Sequence, residues 1–159
     1  LKGLNAPLAE PEIMLELASS GAHDQKLGFS RMAIGFEIPA SVLPDDLKPV
    51  LIGQVVDRAG AGVLWIADVR PFDRAILEMD FSSRVVLNND KVSLGHSSNV
   101  LGGPVGAAED FLQLAVLQGA PLSAGQWIAT GGLSPAVPVS AGDCLRVSAL
   151  HWDVQVCFE

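Results

Sequence analysis

The chain has 159 residues, of which 49% are hydrophobic and 18% charged, with a mean hydropathy of +0.36 and a formal net charge of −8. This length fits one domain, and the apolar content excludes a disordered polypeptide. The acidic balance, without a basic stripe or basic helix, argues against a nucleic-acid partner. No apolar run reaches the ~18 residues that a membrane-spanning helix needs, so we expect no membrane association.

The same composition bears on assembly and location. A domain this apolar is expected to bury part of its surface against another copy, so we expect a homo-oligomer, with a companion subunit as an alternative partner. The N-terminus lacks the charged and apolar regions of a signal peptide, which favours a cytoplasmic location. Cys144 and Cys157 have no partner at metal-binding spacing and are expected to be buried free thiols; a disulfide between them is the less favoured alternative.

Strand patterns dominate the first half of the chain. Strands are predicted where apolar residues cluster or alternate between turn signals, at residues 8–18, 31–38, 63–67 and 75–81. A cluster of small and polar residues at 19–24 predicts a turn or loop. Residues 43–49 form a loop or a single helical turn, because their two prolines limit any helix, and they lead into the apolar segment 50–56.

The second half combines a hairpin, one helix and further strands. Residues 84–95 predict a β-hairpin whose turn residues, Asn88, Asn89 and Asp90, tolerate positive φ angles. The best helix runs from Val105 to Gly119, where Gly119 ends it and Pro121 blocks its continuation. Its apolar stripe is formed by Ala108, Phe111, Leu112, Ala115 and Val116. Turns at 123–125 and 140–143 separate the remaining strands, and the pattern as a whole indicates a strand-rich α+β domain.

The most informative local feature is Glu10-Pro11-Glu12 at the start of the first strand. Residues i and i+2 of an extended segment point to the same face, so the two carboxylates would lie side by side. No Lys or Arg is near them in sequence, and buried like charges need a compensating cation. With Glu37 from the apolar segment 31–38, they would hold a hard divalent ion and leave about half of its octahedron open. The alternative is a solvated edge strand with Glu37 elsewhere.

Other catalytic patterns are not supported. The three histidines, His23, His96 and His151, share no metal-binding spacing, and no G-x-S-x-G nucleophile elbow is present. The glycine-rich residues 101–104 lack the G-K-[ST] ending of a phosphate loop.

An ordered series of motifs follows in the second half: SSNVLGGPVGAA at 97–108, LSAGQWIATGGL at 122–133, VPVSAGD at 137–143 and VQVCF at 154–158. Together with Glu10-Pro11-Glu12, this order resembles the 2-hydroxypentadienoate hydratase and 4-oxalocrotonate decarboxylase branch of the fumarylacetoacetate hydrolase superfamily. That branch is similar in its E-P-E metal site, its G-x-P-x-x-A-x-x-x-L helix start and its late A-G-D-x-I-x-T-G segment with a second A-G-D. The resemblance covers roughly residues 9–158 and implies a mixed, folded-over β-roll with one long helix.

The resemblance also implies a function. It points to a metal-dependent lyase of aromatic-compound breakdown, of the hydratase or decarboxylase type, acting on an unsaturated 2-oxo or 2-hydroxy acid through a metal-stabilised dienolate. Mg²⁺ or Mn²⁺ would be held by Glu10, Glu12 and Glu37, where Glu37 takes the place of the glutamate in an A-L-E-like strand.

Four further residues are site candidates through the same resemblance. Asp57 matches the aspartate of an A-D-N segment and would orient a metal-bound water, although an Asx turn is an equal alternative. Arg58 replaces the asparagine of that segment and would pair with a substrate carboxylate or point to solvent. Thr130 and Ser98 are expected at the substrate, with an ordinary bulge and a loop hydrogen bond as their alternatives.

One departure from the family pattern affects the catalytic prediction. Members of the branch carry a further N-terminal segment with a G-x-K motif, whose lysine is implied in proton transfer, and Lys2-Gly3 does not match that motif. We therefore expect residues 1–159 to form a single hydratase/decarboxylase-like domain without that segment. The alternative function is that of a truncated, non-catalytic relative that serves as a binding or assembly subunit.

Overall fold

The computed structural model describes residues 1–18 and 28–159, and it arranges them as two antiparallel sheets and one long helix. The strands in chain order are β1 (Leu8–Leu17), β2 (Phe29–Ile38), β3 (Val63–Pro71), β4 (Ser82–Leu87), β5 (Lys91–His96), β6 (Trp127–Ala129), β7 (Val137–Pro138), β8 (Cys144–Ala149) and β9 (Trp152–Cys157). The α-helices are α1 (Leu51–Val56), α2 (Arg74–Leu77) and α3 (Gly103–Leu117), and short 3₁₀ turns lie at Arg58–Gly60 and Ser97–Asn99.

The first sheet has the order β3-β2-β1-β6, and β7 also pairs with β1, along the same edge as β6. β1 and β2 pair along nearly their whole length, with Glu10 opposite Glu37 and Ile13 opposite Ile34. On its other side, β1 pairs with β7 through residues 8–9 and with β6 through residues 14–16. Pro11 lies in the gap between these two ladders, where its missing N–H costs no strand pairing.

The second sheet has the order β5-β4-β8-β9. β4 and β5 form the predicted hairpin, and both Asn88 and Asn89 adopt positive φ angles in its turn, 51° and 66°. β8 and β9 form a second hairpin in which Cys144 lies opposite Cys157.

The core is built from alternate positions of the long strands and one face of α3. Ile13, Leu15, Ile34 and Phe36 are buried together in it, because their side chains point to the same side of the first sheet. Helix α3 adds buried residues at helical spacing: Val105, Ala108, Leu112 and Ala115. The opposite face of β1 carries Glu10, Glu12 and Glu16. Packing of Ile13 and Leu15 in the core therefore fixes the side to which these three glutamates point.

The strand-rich α+β class with one long helix is confirmed, and all pairings between the described strands are antiparallel rather than mixed. Helix α3 begins two residues earlier than predicted and ends before Gly119, whose φ is +70°. Phe111 does not belong to the buried stripe, since 48% of it is exposed. The turn predicted at 19–24, with His23, lies outside the described residues.

Two other predictions were wrong. Residues 75–81 do not form a strand, because Asp73 accepts hydrogen bonds from the N–H groups of Ala75 and Ile76 and so caps the short helix α2. Cys144 and Cys157 are not free thiols but a disulfide. The antiparallel register of β8 and β9 places them directly opposite each other, which a separation of 13 residues in sequence does not reveal.

One helical stretch, Ser97–Leu117, is long and apolar enough to cross a membrane by the criteria of length and composition alone. A core helix of a folded domain meets the same criteria, and a third of this stretch (33%) is buried within the fold. The stretch is also not one continuous helix, because residues 100–102 interrupt it. α3 itself has 15 residues and measures about 22 Å, less than the ~30 Å of a bilayer core.

Candidate functional site

Three carboxylates lie on one face of the β1/β2 pair. Glu10 is directly opposite Glu37 across the ladder, and Glu12 follows two residues later on the same side of β1. Directly opposite residues of antiparallel strands share a face, so all three side chains project to the same side. Glu12 is only 1% exposed, whereas Glu10 and Glu37 are half-buried.

A glycine-containing segment after β6 runs along the gap beside these carboxylates. The N–H of Gly131 donates to Oε2 of Glu12 at 2.7 Å, and the N–H of Leu133 donates to the carbonyl of Pro11 at 2.8 Å. A Cβ at Gly132 would lie 3.3 Å from Oε2 of Glu10. The absence of a side chain therefore lets the backbone approach two of the three carboxylates closely.

Burial dominates the electrostatics of the site. It raises the pKa of the Glu12 carboxyl to about 8, and the negative charges of Glu37 and Glu10 act in the same direction, against the lowering effect of the Gly131 N–H. Burial, followed by the charge of Glu37, also raises the pKa of Glu10. Among the described ion pairs, none involves Glu10, Glu12 or Glu37.

The next acidic residue along the strand behaves differently. Glu16 accepts hydrogen bonds from Arg31 and Ser30, and the Arg31 guanidinium lowers the pKa of Glu16 to about 2. Its charge is thus compensated by the protein itself. Glu10, Glu12 and Glu37, by contrast, have no basic partner among the described ion pairs.

The donor set fits a hard divalent ion in its chemistry, since it consists of carboxylate oxygens without a basic partner among the described ion pairs. Within residues 1–18 and 28–159, however, no three His, Cys, Asp or Glu side chains are arranged closely enough to hold a metal ion as they stand. To hold an ion, Glu10, Glu12 and Glu37 would have to adopt side-chain rotamers that point to a common centre. The β1/β2 pairing fixes their backbone positions on one face.

A cavity of about 780 Å³ opens beside Glu10. Asp57 lines it too, from the end of α1, where the Asp57 N–H donates to the carbonyl of Gly53 at 2.9 Å. The rest of the wall combines apolar side chains with a few polar groups, among them Lys48, Gln54 and Ser140. Such a mixture is typical of small-molecule sites.

The other predicted site residues lie apart from this cavity. Arg58 follows Asp57 but is exposed, with a φ of 53°, and is not part of the cavity wall. Thr130 is buried, and its hydroxyl donates to the carbonyl of Ile13 at 2.9 Å. Ser98 lines a different cavity of about 310 Å³ between α2 and α3, with its hydroxyl 2.8 Å from Nδ1 of His96.

The sequence did not predict that Lys48 and Gln54 would line the cavity beside Glu10. Both lie on the loop and short helix that follow β2, in a segment without a recognisable motif. The one available signal was the presence of a single basic residue, Lys48, between the two prolines at 44 and 49.

Comparison with known proteins places this site in context. No protein-family model matches the chain. It is 33% identical over 98 residues to 2-keto-4-pentenoate hydratase 1 of Dechloromonas aromatica (strain RCB), a match covering 61% of this chain and 37% of that protein. It is 38% identical over 60 residues to 4-oxalocrotonate decarboxylase of Pseudomonas sp. (strain CF600), covering 38% of this chain and 23% of that protein.

Among solved structures, the fold is similar to 4-oxalocrotonate decarboxylase from Pseudomonas putida G7 complexed with magnesium and adipate. The TM-score is 0.82 at 23% identity, over 98% of this chain and 62% of that one. The same enzyme complexed with calcium and acetate gives a TM-score of 0.81. The chain spans about a third of the length of the curated hydratase and about a quarter of that of the curated decarboxylase. These matches confirm the resemblance to the hydratase and decarboxylase branch of the fumarylacetoacetate hydrolase superfamily, over the C-terminal part of its members.

Proposed function

We propose that this chain carries the metal-binding and acid-binding part of a divalent-metal-dependent lyase, a hydratase or decarboxylase that acts on an unsaturated 2-oxo or 2-hydroxy acid in aromatic-compound breakdown. The observation that carries the proposal is the alignment of Glu10, Glu12 and Glu37 on one face of β1 and β2. The fold shared with a decarboxylase crystallised with magnesium supports it.

In this proposal Glu10, Glu12 and Glu37 hold Mg²⁺ or Mn²⁺. The ion, when bound, supplies Lewis-acid stabilisation of the negative charge that develops on the substrate. Glu12 releases its proton when a cation binds, because a carboxyl must ionise to act as a ligand and the pKa of Glu12 lies near 8 without the ion. The Gly131 N–H keeps one oxygen of Glu12 oriented, and the cavity beside Glu10 receives the organic acid.

Asp57 is proposed as the residue that orients water at the site, from its position in the wall of the Glu10 cavity. Thr130, Arg58 and Ser98 remain proposed substrate contacts. The Thr130 hydroxyl already donates to the carbonyl of Ile13, so Thr130 would contribute through its main chain, which leads into Gly131.

The second candidate function is a non-catalytic binding or assembly subunit. It is favoured by the observation that, in the described part of the chain, no three acidic or other ligand side chains are preassembled for a metal. The two functions differ in turnover, because only the first converts the acid that the site binds.

A homo-oligomer in the cytoplasm belongs to the same proposal, with a companion subunit as the alternative partner.

Titration calorimetry of the metal-free protein tests the metal site. We expect saturable Mg²⁺ binding that oxalate strengthens, because oxalate mimics the bidentate end of a 2-oxo acid. Repeating the titration in two buffers of different ionisation enthalpy should reveal proton release at neutral pH. Glu12→Gln should weaken Mg²⁺ binding at least about 10-fold, since it removes a charged ligand at the buried position.

The matched control is Asp110→Asn, which removes an exposed carboxylate from α3 without touching the site. Unchanged Mg²⁺ affinity in Glu12→Gln, or equal losses in the two variants, would contradict the metal site. A spectrophotometric assay with 2-hydroxypenta-2,4-dienoate and 4-oxalocrotonate then separates the two functions. Binding of Mg²⁺ and oxalate without conversion of either acid would support the binding subunit.

A further inference from the structure

A further cavity lies on the second sheet, whereas Glu10, Glu12 and Glu37 belong to the first. Its volume is about 400 Å³, and its wall is formed by Arg84, Val86, Asn89, Arg146, Ser148 and Asp153. Two guanidinium groups and one carboxylate leave this wall with one positive charge in excess. The chain as a whole has a formal net charge of −8, so the cavity reverses the prevailing sign of the charge.

The register of β4 and β8 places the polar side chains of the wall on one face of the sheet. Arg84 lies directly opposite Ser148, and Arg146 precedes Ser148 by two residues, so all three side chains project to the same side. Val85 and Val147 alternate with them along the strands, are 1% and 0% exposed, and belong to the core. The three polar side chains therefore point to the solvent side of the sheet.

The two arginines occupy diagonal positions of neighbouring strands. Arg146 lies opposite Val86, two residues beyond Arg84, and diagonal neighbours of this kind are roughly 7–8 Å apart. Long side chains bridge such a distance, so one small anion can contact both guanidinium groups. Ser148 is next to both arginines, because it is opposite Arg84 and on the same face of β8 as Arg146.

The charge of Arg84 has no compensation from the described part of the protein. Nε of Arg146 donates to Oδ1 of Asp153 at 2.6 Å, and its Nη2 donates to Oδ2. None of the described ion pairs involves Arg84. The side chains of Arg146 and Asp153 are 57% and 49% exposed, so water and salt also weaken their pairing. An anion between the two arginines would relieve the repulsion between their like charges.

The donors suit a phosphate group better than a carboxylate. One guanidinium fork engages both oxygens of a carboxylate, whereas a phosphate has further oxygens for a second fork and for a hydroxyl donor. Apolar surface for an organic group lies beside these donors. Val86 is half-buried in the cavity wall, and Leu94 of β5 lies directly opposite Arg84 and is 71% exposed.

We propose that this cavity binds the phosphate group of a small phosphate ester, with Arg84 and Arg146 on two sides of the phosphate and the Ser148 hydroxyl donating between them. The site belongs to the second sheet and does not depend on the proposed lyase chemistry, which uses the carboxylates of the first sheet.

An NMR titration of the metal-free, ¹⁵N-labelled chain in Tris chloride buffer at pH 8 tests this site. Phenyl phosphate and benzoate are the probes, because they share an aromatic ring and differ in the anionic group. We expect phenyl phosphate to cause saturable shifts of the amide signals of Arg84, Arg146 and Ser148. It should bind about 10-fold more tightly than benzoate, since it is a dianion with oxygens for both arginines.

Variants of Arg84 make the result specific. Arg84→Gln should weaken the binding of phenyl phosphate at least about 10-fold, because it removes the uncompensated charge without disturbing a described ion pair. Arg84→Lys should recover part of this affinity, since an ammonium group keeps the charge but not the planar fork. The control is Lys2→Gln, which removes an exposed cation outside the cavity wall and should leave the affinity unchanged.

Four outcomes would overturn the site: no saturable shifts with phenyl phosphate, shifts confined to residues outside β4 and β8, benzoate binding as tightly as phenyl phosphate, or the same affinity in wild type and Arg84→Gln. Equal losses in Arg84→Gln and Lys2→Gln would also overturn it, because they would attribute binding to the general charge of the protein. Mg²⁺ binding by the glutamates of the first sheet is measured separately, so the two proposals fail or stand independently.

Discussion

Glu12 is the residue whose environment should be most visible in a solution measurement. Its pKa of about 8 in the folded protein lies far above its ordinary value of 4.5. Between these two values the unfolded chain binds fewer protons than the folded one, so the free energy of unfolding should fall as the pH rises from about 4.5 to 8. Stability is then highest below this window, and the loss amounts to a few kcal/mol at about 1.4 kcal/mol per pKa unit. Urea denaturation of metal-free protein at a series of pH values measures it.

Glu12→Gln is the matched variant for that experiment, because it keeps the shape of the side chain and removes its titration. We expect its stability to depend much less on pH, with only the smaller effect of Glu10 remaining. Saturating Mg²⁺ should restore the wild-type stability at pH 8, where the cation replaces the proton. A pH profile identical in the two proteins would show that Glu12 is not the titrating group.

At the scale of elements, the sequence was most informative where one local rule decides the conformation. β1, β2 and the β4–β5 hairpin follow from apolar patterns and turn residues, and α3 follows from its periodicity and from Gly119. The projection of Glu10 and Glu12 to the same face of β1 also follows from strand alternation. The position of Glu37 opposite Glu10 could not be fixed from the sequence, which left its location open, because the strand register is set by packing and turn geometry and not by the spacing of residues.

The failures at this scale have local and non-local causes. The alternation in residues 75–81 resembles a strand, but the Asp73 cap stabilises a helical turn and overrides it. The Cys144–Cys157 pair depends on the β8–β9 register, and Lys48 reaches the Glu10 cavity only through the packing of the loop before α1. Neither the pairing of the two cysteines nor the position of Lys48 can be read from the spacing of residues along the chain.

The β4–β5 hairpin supplies the prediction that belongs to this scale. Asn88 has a φ of 51°, donates from Nδ2 to Oδ1 of Asp143 at 2.6 Å and accepts at Oδ1 from the N–H of Cys144 at 2.8 Å. It therefore connects the hairpin turn to the start of β8. Asn88→Ala should lower the free energy of unfolding by about 2–3 kcal/mol, at ~1 kcal/mol for each hydrogen bond plus the strain of a positive φ.

Thermal and urea denaturation of three variants separates these contributions. Asn88→Gly relieves the strain but still loses both hydrogen bonds, so its stability should lie between those of wild type and Asn88→Ala. Asn89→Gly changes the neighbouring positive-φ residue and should be nearly neutral. If Asn88→Gly were as stable as wild type, the link to β8 would contribute nothing.

At the scale of the whole molecule, the high hydrophobic content of the chain leaves several large apolar side chains exposed on the surface. Helix α1 is the clearest case, because its six residues include Leu51, Ile52, Val55 and Val56, which are 76%, 67%, 65% and 73% exposed. A contiguous apolar surface of this kind typically marks a contact with another protein. The proposed homo-oligomer would bury it, and we expect α1 to lie in the contact between copies.

Sedimentation velocity over a range of concentrations tests this expectation. The wild-type chain should self-associate, and the double variant Leu51→Gln/Val55→Gln should weaken association at least about 10-fold, because positions one helical turn apart lie on the same face of α1 and both lose buried apolar area. Leu101→Gln is the control, since Leu101 is 90% exposed but lies before α3 and away from α1 in the chain. Equal weakening by the control would attribute association to general hydrophobicity rather than to α1. A wild-type chain that stays monomeric would contradict the oligomer itself, and the apolar face of α1 would then be available to a different subunit.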